Sequence, residues 1–236
     1  MNTDILAEQI EYYRQRASEY DEWFLRQGRY DRGDQHRQQW FSEVAEVKAS
    51  LHNAAPSGDI LELACGTGLW TQHLVSLGTH VTAVDASSEV IALNQQRVGS
   101  ASVEYIVADL FDWFPAQQFD FIFFGFWLSH VPMERFVAFW QMVKEALKTN
   151  GRVFFVDSLL NQESTARNHR TLHQQGYSER KLNDGRTYRV VKIFHEPLQL
   201  EKSLQNLGWS GSVNYTANYF LYSLVYPSDR SLKNSP

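Results

Sequence analysis

The stretch Glu62-Leu63-Ala64-Cys65-Gly66-Thr67-Gly68 decides the fold of this chain. Residues 59–64 are mostly apolar, as expected for a buried parallel strand. Residues 69–75 carry apolar side chains at helical spacing. The two glycines therefore lie where a strand turns sharply into a helix, and the missing Cβ there lets the backbone approach a ligand closely.

A second strand and an acidic residue follow this turn. Residues 81–84 are apolar or β-branched, and Asp85 comes directly after them. A carboxylate at the tip of the second strand of a βαβ unit can accept hydrogen bonds from both hydroxyls of a ribose. A dinucleotide fingerprint requires a third glycine three residues after the second, but that position is Thr71. The sequence therefore predicts a nucleoside-binding unit with an incomplete dinucleotide pattern.

The segment from Glu62 to Gly68 resembles the first motif of the class I S-adenosylmethionine-dependent methyltransferases of the small-molecule type. In that family the glycine loop contacts the methionine part of the cofactor, and the acidic tip binds its ribose. The resemblance thus implies S-adenosyl-L-methionine as the cofactor. The cofactor-binding residues that it implies around the first, second and fourth strands are Glu62, Ala64, Gly66, Gly68, Asp85, Ala86 and Gly125.

The third predicted strand, residues 103–107, leads to Asp109 and Leu110. In the family an acidic residue here accepts a hydrogen bond from the 6-amino group of adenine. The next backbone N–H meets a ring nitrogen, so that a donor and an acceptor side by side recognise the edge of the base. We therefore expect Asp109 and Leu110 to hold the adenine. The competing interpretation is that Asp109 only caps the following turn.

The N-terminal residues 4–27 are predicted to be helical. Residues 12–21 resemble the Tyr-Tyr…Ala…Tyr-Asp entry segment of many small-molecule methyltransferases, which lies over the cofactor and the substrate. The resemblance implies that Tyr20 faces the methionyl or sulfonium end of the cofactor and that Tyr13 or Arg14 lines the same cavity, with Tyr13 as a substrate contact. An amphipathic helix whose aromatic side chains pack on the sheet explains the same pattern.

The fourth strand, residues 119–124, is the most apolar and is expected at the centre of the sheet. Residues 125–132 leave it at the edge where open α/β sheets bind ligands. Phe126 and Trp127 are expected to wall the substrate site. His130 is the titratable side chain of this loop, and histidine suits a base near neutral pH. We hypothesise that His130 is a catalytic base or orients the substrate; alternatively, it bonds backbone at the start of the next helix.

Residues 158–185 turn polar between the fifth strand and the last helix, at residues 196–207. Substrate covers commonly occur at this place in the family, so His169 is a candidate substrate contact. His169, Arg170 and His173 can also belong to a solvated helix face. They lack a carboxylate or a third ligand at suitable spacing, so no metal site is predicted.

The C-terminal part contains further strand patterns. Residues 187–193 alternate and predict an extra strand beyond strand five, which is assigned to residues 152–157. Residues 211–216 and 218–226 predict two short aromatic strands around a turn. A closing antiparallel pair is typical of the family.

Composition indicates the class of partner. The formal net charge of −5 is unlike that of a nucleic-acid-binding protein, which normally presents a basic face. A single cysteine excludes an intramolecular disulfide and favours a reducing compartment. No apolar run approaches membrane-spanning length. We expect a cytoplasmic monomer or homodimer whose partner is a small-molecule methyl acceptor, with no nucleic acid and no membrane.

The predicted fold is α/β, with a doubly wound Rossmann-like seven-stranded sheet, an antiparallel final strand, N-terminal helices and a small insert after strand five. One methyltransferase domain, residues 1–236, would divide into a helical lid (1–55), a cofactor-binding core (56–157), a substrate-cover insert (158–195) and a C-terminal helix and strand pair (196–228). The predicted activity is methyl transfer to an oxygen or nitrogen of a small molecule by in-line displacement. The alternatives are an RNA or protein methyltransferase, an NAD(P)-dependent oxidoreductase, and a non-catalytic interaction module that binds S-adenosylmethionine.

Overall fold

The computed structural model describes residues 3–167 and 176–228 of the chain. Its helices are α1 (Thr3–Gln15), α2 (Tyr20–Phe24), α3 (Asp34–Asn53), α4 (Thr71–Leu74), α5 (Ser88–Val98), α6 (Met133–Glu145) and α7 (Pro197–Asn206). Its strands are β1 (Asp59–Leu63), β2 (His80–Asp85), β3 (Val103–Val107), β4 (Phe119–Gly125), β5 (Leu147–Ser158), β6 (Tyr177–Lys181), β7 (Thr187–Val191), β8 (Trp209–Ser210), β9 (Val213–Tyr215) and β10 (Phe220–Pro227).

The main sheet has the strand order β3-β2-β1-β4-β5-β10-β8, and the short strand β9 also pairs with β10. Strands β1 to β5 are parallel, whereas β10 runs antiparallel to β5. This confirms the predicted Rossmann-like architecture; the seven strands in line match the predicted number, and β9 is an eighth. The strand order reverses between β1 and β4, so a ligand is expected at the carboxyl ends of these two strands.

Strand β4 lies in the middle of the sheet, as its apolar sequence predicts. Phe121, Ile122, Phe123 and Phe124 are each at most 1% exposed. One face of the sheet packs against α6 and α7, and the other packs against α3. Side chains on both faces of β4 are therefore buried, as expected for a parallel strand that is covered on both sides.

Three predicted elements differ from the structure. The helix predicted over residues 4–27 is broken by a 3₁₀ turn at Ala17–Glu19 between α1 and α2. Strand β5 starts five residues earlier than predicted, before Asn150, which has a φ of 74°. The strand predicted at 211–216 is shortened to β9, Val213–Tyr215. It is separated from β8 at Gly211, where φ is 133° and an added Cβ would lie 2.3 Å from the carbonyl oxygen of Leu224.

The extra strand predicted near residues 187–193 exists, but it is outside the main sheet. It is β7, and it pairs with β6 in a separate antiparallel hairpin. The hairpin packs along α1: the carboxylate of Glu8 accepts hydrogen bonds from the backbone and side chain of Arg189, and Gln9 accepts one from the N–H of Val191 at 3.0 Å. Helix α1 and the hairpin thus cover the carboxyl edge of the sheet together. None of the described helices is both long enough and apolar enough to cross a bilayer.

Candidate active site

The glycine turn between β1 and α4 is held by the side chain of Asn94, which is fully buried on α5. Its amide donates to the carbonyl oxygen of Gly66 at 3.2 Å and to Thr71 Oγ1 at 2.8 Å. At Gly68, φ is 88° and an added Cβ would lie 2.6 Å from Asn94 Oδ1. Both the backbone conformation and the close approach of Asn94 therefore require glycine at position 68.

Asp85 ends strand β2 directly beside this turn. One carboxylate oxygen accepts the N–H of Gly66 at 2.9 Å, and the other accepts the N–H of Ser87 at 3.0 Å. Burial raises the pKa of Asp85, and these backbone hydrogen bonds oppose the rise. Each oxygen keeps a free lone pair, so the carboxylate can still accept two hydroxyl groups.

A cavity of about 720 Å³ lies at the carboxyl ends of β1, β2 and β4. It brings together many of the residues that the sequence singled out, from five separate parts of the chain. Asp109 lines it while also accepting the N–H of Phe111 at 2.9 Å, so this carboxylate caps a turn and faces the cavity as well. The predicted site residues on its wall are Tyr13, Tyr20, Ala64, Asp85, Ala86, Asp109, Leu110, Gly125, Phe126, Trp127 and His130.

A second cavity, of about 600 Å³, adjoins the first. The two cavities share the side chains of Tyr13, Tyr20, Phe126 and His130. Phe126 has a φ of 59°, which is unusual for a bulky residue and is tolerated at tightly constrained sites. These four residues therefore form the boundary between the two cavities.

Three cationic side chains line the second cavity: Arg16, Arg180 and Lys192. No aspartate or glutamate is present among the described residues that line it. Arg16 is 8% exposed, and its Nε has no hydrogen-bond partner within the described part of the chain. Lys192 is 7% exposed; its ammonium donates to Ser129 Oγ at 2.7 Å, and burial lowers its pKa to about 8. The second cavity is thus a buried, positively charged space.

A third and smaller cavity lies behind the glycine turn, where Glu62 and Trp70 reach it. Glu62 is 2% exposed, and burial raises its pKa to about 8. Its Oε2 and the Nε1 of Trp70 have no hydrogen-bond partner among the described residues. Buried polar atoms without a partner are rare, so this cavity is suited to a polar ligand group.

His130 contacts both a backbone group and a side chain of the lid. Its Nδ1 lies 2.6 Å from the carbonyl oxygen of Val191, and its Nε2 lies 2.8 Å from the hydroxyl of Tyr13. Burial holds the pKa of His130 well below its usual value, so the ring is neutral near pH 7. A neutral ring that donates from Nδ1 to Val191 accepts the Tyr13 hydroxyl at Nε2.

Comparison with known proteins places this geometry in a family. Residues 60–151 match the sequence model of the family described as methyltransferase domain. The chain is 39% identical to DhpI, and the structure of the DhpI–SAH complex matches it with a TM-score of 0.80 over 98% of this chain and 100% of that chain. This chain belongs to the S-adenosylmethionine-dependent methyltransferases.

Two further structures are similar to this methyltransferase. A DhpI–SAM–HEP complex matches with 39% identity and a TM-score of 0.79, covering 96% of this chain and 100% of that one. The glycopeptide N-methyltransferase MtfA, complexed with S-adenosyl-L-methionine, is 17% identical with a TM-score of 0.60, over 78% of this chain and 94% of that one. The latter likeness concerns the fold alone. No curated protein sequence matches the chain.

S-adenosyl-L-methionine is therefore the cofactor, as the motif implied, and the alternatives of a nicotinamide oxidoreductase and a non-catalytic module are wrong. The residues present fit this group. The turn has glycine where a Cβ would collide, Asp85 has free lone pairs, and unpartnered polar atoms face the third cavity. Asp85 would hold the ribose, Asp109 and Leu110 the adenine, and Glu62 the methionyl end.

Three sequence-based candidates are not among the residues that line the three cavities: Gly66 and Gly68, which lie in the turn itself, and Arg14. Arg14 points outward from α1 and pairs with Glu89 at 2.6 Å, with 54% of its side chain exposed. Of the two alternatives, Tyr13 lines the cavity and Arg14 does not, because consecutive side chains on a helix point about 100° apart. His169, together with Arg170 and His173, falls outside the described residues.

Sequence reasoning missed several side chains that line the cavities. The cations of the second cavity lie directly after α1 and in the hairpin region, more than 160 residues apart, and no short motif joins them. Trp70 was counted only as an apolar residue of a helix. The first cavity also has wall residues from α1, from α5 and from the turn after β3 that no motif marked: Leu6, Gln9, Ile10, Val90 and Phe111.

Proposed function

We propose that this enzyme transfers the methyl group of S-adenosylmethionine to an oxygen of a small, negatively charged molecule that binds in the second cavity. The observation that carries the proposal is the set of three cations beside the cofactor cavity, of which Arg16 and Lys192 are buried and Arg180 is half-buried, with no carboxylate on the described wall. The net charge of the chain is −5, so this positive space is a local feature and does not reflect a basic protein. An acid such as a phosphate, phosphonate or carboxylate would accept hydrogen bonds from these cations and balance their positive charge.

The guanidinium of Arg16 is pre-arranged to bind an anion. It lies 5.3 Å from the centre of the Tyr20 ring, and its Nη2 donates to the Tyr30 hydroxyl at 3.3 Å. Burial raises the cost of leaving its Nε unpaired, and an oxyanion removes that cost. Arg180 adds a second guanidinium group, whose Nη1 donates to Thr165 Oγ1 at 3.0 Å.

The boundary between the cavities is suited to align the two reactants. When bound, the cofactor supplies a methyl group on a positively charged sulfur, and transfer is an in-line displacement by the acceptor. Tyr13, Tyr20, Phe126 and His130 border both spaces, so they can fix the approach of the acceptor and exclude water. Loss of a negative charge from the acceptor then weakens its attraction to the cations and favours release of the product.

His130 is better suited to orientation than to proton abstraction. An anionic oxygen arrives without a proton and needs no base. The Nε2 of His130 is engaged by the hydroxyl of Tyr13 at 2.8 Å, and its Nδ1 is fixed by Val191. We therefore assign His130 the role of holding Tyr13 at the boundary of the cavities.

Two further observations support a small acceptor. The second cavity is lined by residues of the predicted lid, 1–55, and of the predicted insert, 158–195, which is where a substrate cover was expected. The relative DhpI is described as a complex with SAM and HEP, so a further ligand accompanies the cofactor in that protein. An RNA or protein acceptor is the competing function.

The test is methyl transfer to a panel of matched acceptors, followed by mass spectrometry. The panel pairs small phosphonates, phosphates and carboxylates with their neutral amides or alcohols, and it includes total RNA and a denatured protein extract. We expect methyl esters from the acids alone. Arg16→Met should lower kcat/KM for the acids about 100-fold, since a charged hydrogen bond to a buried partner is lost.

The control variant is Arg37→Met, which removes an arginine that pairs with Asp34 on α3 and lines neither the first nor the second cavity. It should leave kcat/KM unchanged. Preferred methylation of neutral amines, of RNA or of protein would overturn the proposal. So would an Arg16→Met enzyme that retains full activity on the acids.

A further inference from the structure

The third cavity contains a buried hydrogen-bond donor that the sequence motif does not explain. Trp70 is 6% exposed, and its Nε1 has no partner among the described residues. Tyr20, Ala64, Gly125 and Phe126 line both this cavity and the cofactor cavity, so the two spaces adjoin each other. A buried N–H that faces such a space is expected to have a ligand or a water molecule as its partner.

The indole is held with its N–H edge toward the tip of β4. A Cβ at Gly125 would lie 3.2 Å from both Cδ1 and Nε1 of Trp70. The ring packs against Phe123, with centroids 5.3 Å apart, and against Phe24, with centroids 6.2 Å apart. Packing therefore fixes the ring, while the absence of a side chain at position 125 leaves the N–H uncovered.

We propose that the indole N–H of Trp70 donates a hydrogen bond to the carboxylate of the methionyl part of S-adenosylmethionine. That part carries one anionic and one cationic group. Glu62, the acidic residue of the motif, reaches the same cavity and is left for the cation. The ammonium of Lys48 lies 6.0 Å from the centre of the Trp70 ring, which makes the surroundings favourable to an anion.

Other donors near this cavity are already engaged. The indole N–H of Trp23 donates to the carbonyl oxygen of Ser164 at 2.8 Å, and the hydroxyl of Thr67 donates to Asp21 at 2.5 Å. The backbone N–H of Gly66 donates to Asp85. The hydroxyl of Tyr20 is the competing donor, since this side chain also lines the cavity. The assignment concerns the methyl donor only, so it is independent of the proposed acceptor.

The test compares two ligands that differ in the amino-acid part. S-adenosylhomocysteine keeps this part, whereas 5′-methylthioadenosine lacks it. Calorimetric titration should show that Trp70→Phe, which keeps an aromatic ring, raises the dissociation constant of S-adenosylhomocysteine about 10- to 100-fold. This is the effect expected when a hydrogen bond to a charged group is lost. Binding of 5′-methylthioadenosine should change less than twofold.

Trp140→Phe is the matched control. Trp140 also has a buried Nε1 without a partner among the described residues, but it packs among Phe124, Phe139 and Trp209 on the other face of the sheet. This variant should bind both ligands like the wild type. Tyr20→Phe tests the competing donor. The assignment would be overturned if Tyr20→Phe, and not Trp70→Phe, weakened the binding of S-adenosylhomocysteine while leaving that of 5′-methylthioadenosine unchanged.

Two further outcomes count against Trp70. Equal weakening of both ligands by Trp70→Phe would indicate a packing role, and unchanged binding would place the donor elsewhere. The wild-type protein gives a second readout that does not depend on the folding of a variant. In ¹H–¹⁵N NMR spectra, the indole resonance of Trp70 should shift downfield with S-adenosylhomocysteine and stay in place with 5′-methylthioadenosine; identical responses would also contradict the proposal.

Discussion

Lys192 is a single residue whose charge changes within an accessible range of pH. Its ammonium is buried 3.6 Å from the carboxylate of Asp157, and burial together with the nearby Arg180 and Arg16 lowers its pKa to about 8. Below pH 8 it is protonated and attracts an anion; above pH 8 it loses this charge. We therefore expect KM for an acidic acceptor to rise about tenfold between pH 7.5 and 9.5, measured with acceptors that stay ionised throughout.

Lys192→Met should remove this dependence and raise KM about 100-fold at pH 7.5. The dissociation constant of S-adenosylhomocysteine is the control, because Lys192 is not among the residues that line the cofactor cavity. A wild-type KM that stays flat across this range would argue against contact between the ammonium and the acceptor.

Glu62 affects the stability of the ligand-free enzyme. Burial raises its pKa to about 8 in the folded chain, well above the value of about 4.5 for an exposed glutamate. The protonated form therefore contributes stability that is complete below pH 4.5 and is lost as the pH rises through 8. Asp85 and Cys65 lie close by, and the pKa of each is also raised by burial.

Glu62→Gln keeps a neutral side chain at every pH. Relative to the wild type, its melting temperature should be unchanged near pH 5 and higher by about 5 °C near pH 8.5. Differential scanning calorimetry without ligand gives this comparison. A difference between the two proteins that does not vary with pH would show that the carboxyl is ionised in the folded state.

Sequence motifs predicted the residues of the cofactor cavity because those residues follow strand ends directly. The positions of Asp85 and Asp109 can be predicted once a strand and the turn after it are recognised in the sequence. Arg16 and Lys192 were not predicted, because they meet only after α1 and the hairpin pack over the sheet. Local patterns identify the first pair, whereas tertiary packing alone brings the second pair together.

Among the elements, α3 is tied to the last hairpin of the sheet by one buried carboxylate. Glu43 is 2% exposed and accepts hydrogen bonds from the backbone N–H groups of Asn218 and Tyr219, at 3.1 and 2.9 Å, and from the hydroxyl of Thr216. A glutamine there offers one acceptor oxygen and brings an N–H₂ group against donors. The turn between β9 and β10 therefore depends on ionised Glu43.

We expect Glu43→Gln to lower the free energy of unfolding by about 2–3 kcal/mol, seen as a fall of about 5–10 °C in melting temperature. Glu46→Gln is the matched control on the same helix, since Glu46 is exposed and, among the described residues, accepts one hydrogen bond, from the Tyr222 hydroxyl at 3.1 Å. It should change the melting temperature by less than 2 °C. Equal falls in melting temperature for the two variants would mean that the hydrogen bonds to buried Glu43 do not contribute specifically to stability.

Element boundaries were predicted least well where glycine or a left-handed residue interrupts a pattern. The first strand of the closing pair begins only at Val213, after Gly211, and β5 begins before Asn150, where φ is positive. Residues 148–152 are polar, so the apolar pattern shows only the part of β5 that starts at Val153. The hairpin β6–β7 alternates like any half-buried strand pair, so its separation from the main sheet was not visible in the sequence.

At the scale of the whole molecule, the cofactor cavity is bordered by the sheet on one side and by α1 on the other. A ligand that fills it contacts both, so binding opposes the separation of α1 from the core. Saturation with S-adenosylhomocysteine at 100 times its dissociation constant should stabilise the fold by about 2.7 kcal/mol. The melting temperature should rise by about 5–10 °C, and amide hydrogen exchange in Thr3–Gln15 should slow.

A Gly68→Ala variant provides the comparison, because its added Cβ would collide with Asn94 and distort the turn. It should lose most of the ligand-dependent rise in melting temperature. If S-adenosylhomocysteine slows exchange in the core strands but leaves α1 unaffected, α1 does not close over the ligand.

Each of the three cavities has an indole in its wall: Trp127 in the first, Trp23 in the second, and both Trp23 and Trp70 in the third. Trp23 and Trp70 are fixed by aromatic neighbours, so their surroundings change chiefly when a cavity is filled. Ultraviolet emission from these chromophores therefore reports occupancy without an attached dye. The chain has seven tryptophans, so the signal of Trp127 or Trp23 is obtained as the difference in emission between the wild type and a variant with that one indole replaced by phenylalanine. The order in which the enzyme loads its ligands could then be followed in real time.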